Sequence, residues 1–242
     1  MNHLDEVRQL LEQSGRMVFF GGAGTSTESG IPDFRSETGL YRISGGEEVS
    51  PETILSRSFF IRQTEDFYRF YKDKMIYADA KPNAAHLALA RLEQEGRLTS
   101  VITQNIDGLH QAAGSRSVWE LHGSIHRNHC MNCHESYDLD YVLKNEEIIP
   151  KCAVCRGKLK PDVVLYEEAL DERVLMGAMD AIAGADLLIV GGTSLSVYPA
   201  AGLIRYFAGD RLVIINRTPT PFDDSADYVI HDSIGRVFAE LK

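Results

Sequence analysis

Four cysteines carry the sharpest chemical signal in the chain. Cys130-x-x-Cys133 is followed, after 18 intervening residues, by Cys152-x-x-Cys155. Each pair suits a tight knuckle, and four thiolates close a tetrahedral shell around zinc. A shell of four sulfurs leaves no open position for water, so such a zinc is structural rather than catalytic. It would hold together a short polar module with little core of its own. Four unrelated buried thiols, or a redox pair, are the competing readings, and two copies at ribbon spacing argue against both. His126, His129 and His134 lie nearby and are alternative ligands. With four cysteines present they read as surface or supporting residues.

A second signal lies at the ends of apolar runs. Met17-Val18-Phe19-Phe20 leads into Gly21-Gly22-Ala23-Gly24, a buried strand entering a glycine turn before a helix start. Small residues there let backbone N–H groups approach a pyrophosphate. The full dinucleotide fingerprint wants a third glycine where Thr27 stands, so an ordinary tight turn fits the motif alone equally well. Gly191-Gly192-Thr193-Ser194 closes another apolar run and offers N–H and hydroxyl donors for phosphate. Asn216 ends a third, where a polar side chain can bind a ribose hydroxyl.

The elements that must position these groups alternate. Val101-Ile102-Thr103, Asp186–Val190 and Leu212–Ile215 look like buried strands, as does the run at 17–20. Helical patterns lie at 4–14, 84–95 and 171–183. Apolar strands alternating with helices predict an α/β fold with a doubly wound parallel sheet, Rossmann-like, as the large domain. Two stretches break the rhythm. Residues 38–81 are rich in aromatic and charged residues and look helical from about 59 to 76, and residues 126–159 carry all four cysteines. They predict a smaller domain made of a helical insert and a zinc-ribbon insert. The large domain then comprises 1–37, 82–125 and 160–242.

Composition sets bounds. Hydrophobic residues make up 44% of 242, enough for a sizeable core. A net charge of −10 gains nothing from counterion release, which sets nucleic acid aside as a partner. The first residues lack the basic start and apolar stretch of a signal peptide, and no run of about 20 apolar residues occurs. No membrane association and a cytoplasmic location are the expectations.

The glycine turn continues as Gly22-Ala23-Gly24-Thr25-Ser26-Thr27-Glu28-Ser29-Gly30-Ile31-Pro32-Asp33-Phe34-Arg35. Then come Thr103-Gln104-Asn105-Ile106-Asp107, Glu120-Leu121-His122-Gly123, the four cysteines, Lys160-Pro161-Asp162-Val163-Val164, Gly192-Thr193-Ser194-Leu195 and Ile214-Ile215-Asn216. In this order, from about residue 17 to the C-terminus, the chain resembles the sirtuins, in a compact bacterial form.

The resemblance implies an NAD-dependent protein-lysine deacetylase that moves an acyl group from lysine to the ADP-ribose of NAD and releases nicotinamide. NAD would be the co-substrate, zinc the structural ion, and acyl-lysine proteins or peptides the partners. His122 matches the general base, suited by an ordinary pKa of about 6.5; without its flanking motif it would read as a buried histidine satisfied by backbone. Asn105 matches the residue that positions a water near the ribose, and Asp107 the acceptor for the nicotinamide amide. A capped loop is the plain alternative for both. Gln104 would touch the nicotinamide ribose and Ile106 would supply an apolar wall. Phe34 would cover the reacting ribose, Arg35 would reach the phosphates, and Asp33 would order their loop. Ala23, Gly24, Thr27, Gly192, Thr193 and Ser194 would contact the dinucleotide, Asn216 the adenosine ribose, and Ile234, on a looser match, the adenine.

Val163-Val164-Leu165 matches the edge that pairs with the substrate backbone, with the acyl-lysine passing Val164, Tyr166 and His122. The family pattern aromatic-Gly-Glu reads Tyr166-Glu167-Glu168 here. Glu167 thus replaces a glycine and could favour basic flanking residues. Family members that remove succinyl or malonyl groups carry Tyr-x-x-Arg; here Tyr68-Arg69-Phe70-Tyr71 puts Tyr71 at the arginine position. Without that guanidinium, neutral acyl groups should be preferred, acetyl above all. Two further readings use the same residues: mono-ADP-ribosyl transfer to protein, and a non-catalytic NAD- and zinc-binding module.

Overall fold

The computed structural model describes residues 3–33, 39 and 49–241. Among these, nine strands follow in chain order: β1 (Met17–Gly21), β2 (Leu98–Thr103), β3 (Val118–Glu120), β4 (Gly123–Cys130), β5 (Ser136–Asp138), β6 (Leu159–Val163), β7 (Leu187–Gly191), β8 (Leu212–Ile215) and β9 (Tyr228–Ile230). Six form a sheet in the order β3-β2-β1-β7-β8-β9, and every pairing in it is parallel. The strand order reverses between β1 and β7, the point where a doubly wound sheet opens a crevice at its carboxyl ends.

The apolar runs become strands because both faces of the sheet are covered. Alternate side chains enter two separate cores. Met17, Phe19, Leu187, Ile189, Val213 and Ile215 face one, against the helices His3–Gln13, Ala84–Gln94 and Ile234–Glu240. Val18, Phe20, Leu188, Val190, Leu212 and Ile214 face the other, against the helix Glu172–Ala183 and a 3₁₀ segment at Ala200–Tyr206. Helix ends are marked in the sequence: Asp171 caps Glu172–Ala183, and Asn83 forms a capping box with His86 at Ala84–Gln94.

A third core joins the two stretches that broke the alternation. Phe59, Phe60, Phe67, Tyr68 and Tyr71 pack with Val142, Leu159 and the buried Cys130 and Cys152. The expected single helix is two, Arg57–Arg62 and Thr64–Lys74, broken at Gln63. The three-stranded sheet here has the order β5-β4-β6 and is antiparallel. Tyr68 donates its hydroxyl to the Leu159 carbonyl at 2.9 Å, tying helix to sheet. The sequence divisions at 125/126 and 159/160 fall within β4 and β6. None of the described helices is long and apolar enough to cross a membrane.

Candidate functional site

The loops after β1 and β7 meet at the switch point. Gly24 N–H donates to the Gly192 carbonyl at 2.8 Å, and Gly22 N–H to that of Gly191 at 3.3 Å. A β-carbon on Gly24 would lie 2.8 Å from Gly192 Cα, and one on Gly192 (φ +59°) 2.3 Å from Thr25 N. The glycines are therefore required by one loop lying on the other. This changes the expected picture of the turn. The amides of Gly22, Gly24, Thr25 and Ser26 are already donated to carbonyls, and among the described residues no α-helix starts directly after them. The chain makes two 3₁₀ turns instead, Ala23–Thr25 and Thr27–Ser29. Thr27 Oγ1 donates back to the Gly24 carbonyl at 3.1 Å, and Ala23 is half-buried at the pocket wall.

The loop after β2 supplies the densest polar network. Asn105, only 9% exposed, donates from Nδ2 to Ser26 Oγ at 3.0 Å, and Ser26 Oγ–H donates to Asp107 Oδ2 at 2.6 Å. Asp107 Oδ1 accepts the Leu109 N–H at 2.9 Å. Each carboxylate oxygen keeps acceptor capacity beyond these bonds. Gln104 Nε2 donates to Thr193 Oγ1 at 3.1 Å, linking the ends of β2 and β7. Ala23, Ser26, Asn105, Ile106, Asp107 and Ile125 line one pocket. Ser26 was passed over in the sequence, although its place inside the quoted motif and its 1% exposure mark it. Asn83 was also missed; it donates to the Thr25 carbonyl and to Ser29 Oγ, at 2.7 and 3.0 Å.

His122 follows β3 and is half-buried. Its Nδ1 lies 2.9 Å from the Gln104 carbonyl, which can only accept. Nδ1 therefore carries the hydrogen, and Nε2 keeps its lone pair. Burial pushes the imidazole below its ordinary pKa, and the Gln104 bond opposes this only partly. A neutral ring at neutral pH with Nε2 free is the state a proton acceptor needs. His126, read in the sequence as a neighbour of the cysteines, instead sets Nε2 3.0 Å from the Asp107 carbonyl.

The other expected contacts spread along the sheet's carboxyl ends. Ser194 is exposed, its Oγ 2.7 Å from Ser196 Oγ. Asn216 spends Nδ2 on the Thr218 carbonyl at 2.7 Å. Ile234 is 2% exposed and lies against Gly191, so its side chain faces core rather than crevice. Asp33 is half-buried. Phe34 and Arg35 lie outside the described residues. Val164 N–H donates to the His122 carbonyl at 3.0 Å, and Tyr166 beyond it is exposed. Tyr68 and Tyr71 are fully buried; Tyr71 stacks on Phe67 at 5.5 Å.

The four cysteine sulfurs lie within 4.8 Å of one another. Zn–S bonds of about 2.3 Å give a tetrahedron with edges of about 3.8 Å. The Cys130–Cys155 and Cys133–Cys152 separations, 3.4 and 3.5 Å, are close to that. The two knuckles match: His134 and Arg156, each just after a pair, have φ of +61°. Backbone N–H groups of Asn132, Val154 and Cys155 point at sulfur, as expected around thiolates. The donor set fits a closed structural zinc.

A parallel sheet with polar loops converging on its switch point defines a dinucleotide-binding enzyme, and the zinc ribbon narrows the class. The model of the Sir2 family matches residues 22–199, and the chain belongs to that family. It is 58% identical over 237 residues to an NAD-dependent protein deacetylase of Clostridium acetobutylicum, covering 98% of this chain and 97% of that one. It is 56% identical over 241 residues to the protein of the same description from Clostridium tetani, covering 100% and 98%. A solved structure described as Sir2 with p53 peptide and NAD+ superposes with a TM-score of 0.88 at 39% identity, covering 100% of this chain and 97% of that one.

Proposed function

We propose that the chain is an NAD-dependent protein-lysine deacetylase acting in the cytoplasm. NAD, acyl-lysine and water yield nicotinamide, O-acyl-ADP-ribose and free lysine. One observation carries the reading: Ser26, Gln104, Asn105, Asp107 and His122 converge at the carboxyl ends of β1, β2 and β3, joined by short hydrogen bonds. NAD supplies the electrophilic ribose carbon once its nicotinamide bond weakens. Everything else falls to the chain.

Asp107 accepts the nicotinamide carboxamide, and the Asn105–Ser26–Asp107 series holds Asn105 in one orientation toward a water beside the ribose. His122 Nε2 takes the proton from a ribose hydroxyl. Gln104 serves twice, its carbonyl fixing the His122 tautomer and its amide holding Thr193. Ala23, Gly24, Thr27, Gly192, Thr193, Ser194 and Asn216 border the dinucleotide, and Asp33, Phe34 and Arg35 are assigned to it by their place in the motif. Ile106 forms an apolar wall, and Ile234 supports the sheet end from below. The peptide pairs along Val163–Leu165, with the acyl-lysine passing Val164, Tyr166 and His122. The zinc held by Cys130, Cys133, Cys152 and Cys155 keeps its module folded and takes no chemical step. Residues 38–81 and 126–159 form the small domain, and the rest of the chain forms the NAD-binding domain.

Incubation with NAD and an acetyl-lysine peptide, read by mass spectrometry, tests this. One O-acetyl-ADP-ribose per nicotinamide released is expected. ADP-ribose attached to protein with no deacetylated peptide, or no NAD consumption, would contradict it.

A further inference from the structure

Glu167 sits in a conformation that its side chain disfavours. Its φ is +74°, left-handed backbone where a β-carbon crowds the carbonyl. Non-glycine residues stay there only when their surroundings hold them. The holding contacts are visible. Glu167 Oε2 accepts the Ser58 N–H and Oε1 accepts the Ser58 hydroxyl, both at 2.9 Å. Ser58 N–H is a first-turn donor of the helix Arg57–Arg62, with no partner inside the helix. Ser56 Oγ takes the next one, from Phe59, at 3.2 Å.

These bonds end a longer seam. Val164 N–H donates to the His122 carbonyl. Tyr166 N–H then donates to Leu55 O, and Arg57 N–H to Tyr166 O, each at 3.0 Å. Glu168 braces the turn from the other side, accepting from Leu165 N–H at 2.9 Å and Lys160 Nζ at 3.0 Å. The segment leaving His122 is thus sewn to the helical insert, with Glu167 as its last stitch.

We propose that Glu167 is a positioning residue: through Tyr166 it clamps the Val163–Leu165 edge to the helix Arg57–Arg62 and so fixes the geometry in which substrate backbone pairs. Its charge is spent on that helix and does not select basic residues flanking the acyl-lysine. The proposal rests on reading Val163–Leu165 as the peptide-pairing edge.

Glu167→Ala, Glu167→Gly, Glu167→Gln and Ser58→Ala are compared in steady state, using acetyl-lysine peptides flanked by lysine, alanine or glutamate. Hydrogen exchange over 55–58 and 163–168 is followed with and without peptide. The Ala variant raises peptide KM about fivefold for all three peptides, the scale of one lost helix cap, and the Gly variant, relieved of the left-handed strain, raises it less. They leave the KM for NAD unchanged and speed exchange at 55–58. Glu167→Gln keeps an acceptor for Ser58 N–H and recovers most of the loss. Ser58→Ala moves KM the same way by a smaller factor, and combined with Glu167→Ala it is less than additive. A loss confined to lysine-flanked peptides and shared by Glu167→Gln overturns the clamp. So does an unchanged KM in Glu167→Ala while peptide still protects 163–166. If peptide fails to protect 163–166 in the unaltered protein, the edge reading falls and takes the proposal with it.

Discussion

His122 immediately precedes β4 and Cys130 ends it, so one strand joins the two regions. Around His122 the groups that matter are neutral or hydrogen-bonded, come from loops after three different strands, and keep acceptor positions open. Around Cys130 the four sulfurs face each other, backbone N–H groups and the Tyr137 hydroxyl, 3.0 Å from Cys152 Sγ. One region is built to admit a ligand and the other to exclude one. The first can lose a side chain without unfolding, because three cores lie beneath and beside it. The second has two buried cysteines within its own core, so losing the ion removes both the link and the packing.

The largest effect should come from the zinc side. Zinc binding of this kind is linked to folding by on the order of 10 kcal/mol. Chelation, or Cys152→Ser, should lower the melting temperature by more than about 10 °C and expose the amides of the β5-β4-β6 sheet first. A melt and exchange pattern unchanged by metal removal would erase the contrast between the regions. On the crevice side, Ser26→Ala leaves buried Asn105 Nδ2 and Asp107 Oδ2 without their partner. Its expected result is a fall in kcat/KM of about 10- to 100-fold, matching a loss of about 1–3 kcal/mol. Zinc content should not change.

Acid probes the core under one face of the large sheet. His86 and His110 are buried with ring centroids 4.7 Å apart, and burial pushes their pKa values down to about 4 and about 3. Above the unfolded value of about 6.5 both states are neutral and neither ring affects stability. As pH falls below that, the unfolded chain takes up protons first, so stability drops until the folded values are passed. At pH 5 the His86 share is about 2 kcal/mol. His86 Nδ1 also accepts the Asn83 N–H, and glutamine can fill that capping-box role. His86→Gln should therefore shrink the stability lost between pH 7.5 and 5, as read by urea midpoints. An identical loss in the variant would show that His86 contributes nothing to the acid sensitivity. The smallest expected difference concerns acyl groups. Tyr71 offers a buried phenol where a carboxylate would need a guanidinium, so acetyl-lysine should be turned over at least about tenfold faster than succinyl-lysine. Faster desuccinylation would contradict this.

The central strands were legible because β1, β2, β7 and β8 are apolar runs buried on both faces. β3 and β9 were not, being three-residue edges only half-buried. The cysteine cluster could be read from spacing alone, since knuckle geometry is local. The glycine turn was located but its reason was not: only the folded chain shows Gly24 lying on Gly192. His126 shows the same limit, being near the cysteines in sequence yet bonded to the Asp107 carbonyl. Glu167 looked like a missing glycine or a charge aimed at substrate, because Ser58 is 109 residues away.

The central claim is that His122 does chemistry while the cysteines hold structure. The most direct test is His122→Ala, assayed for zinc content, thermal unfolding and deacetylation in the same preparation. One zinc per chain, a melting temperature within a few degrees of the unaltered protein, and a kcat lower by about 10²- to 10⁴-fold are predicted. A variant that deacetylates at the original rate, or that loses its zinc along with its activity, would contradict the account.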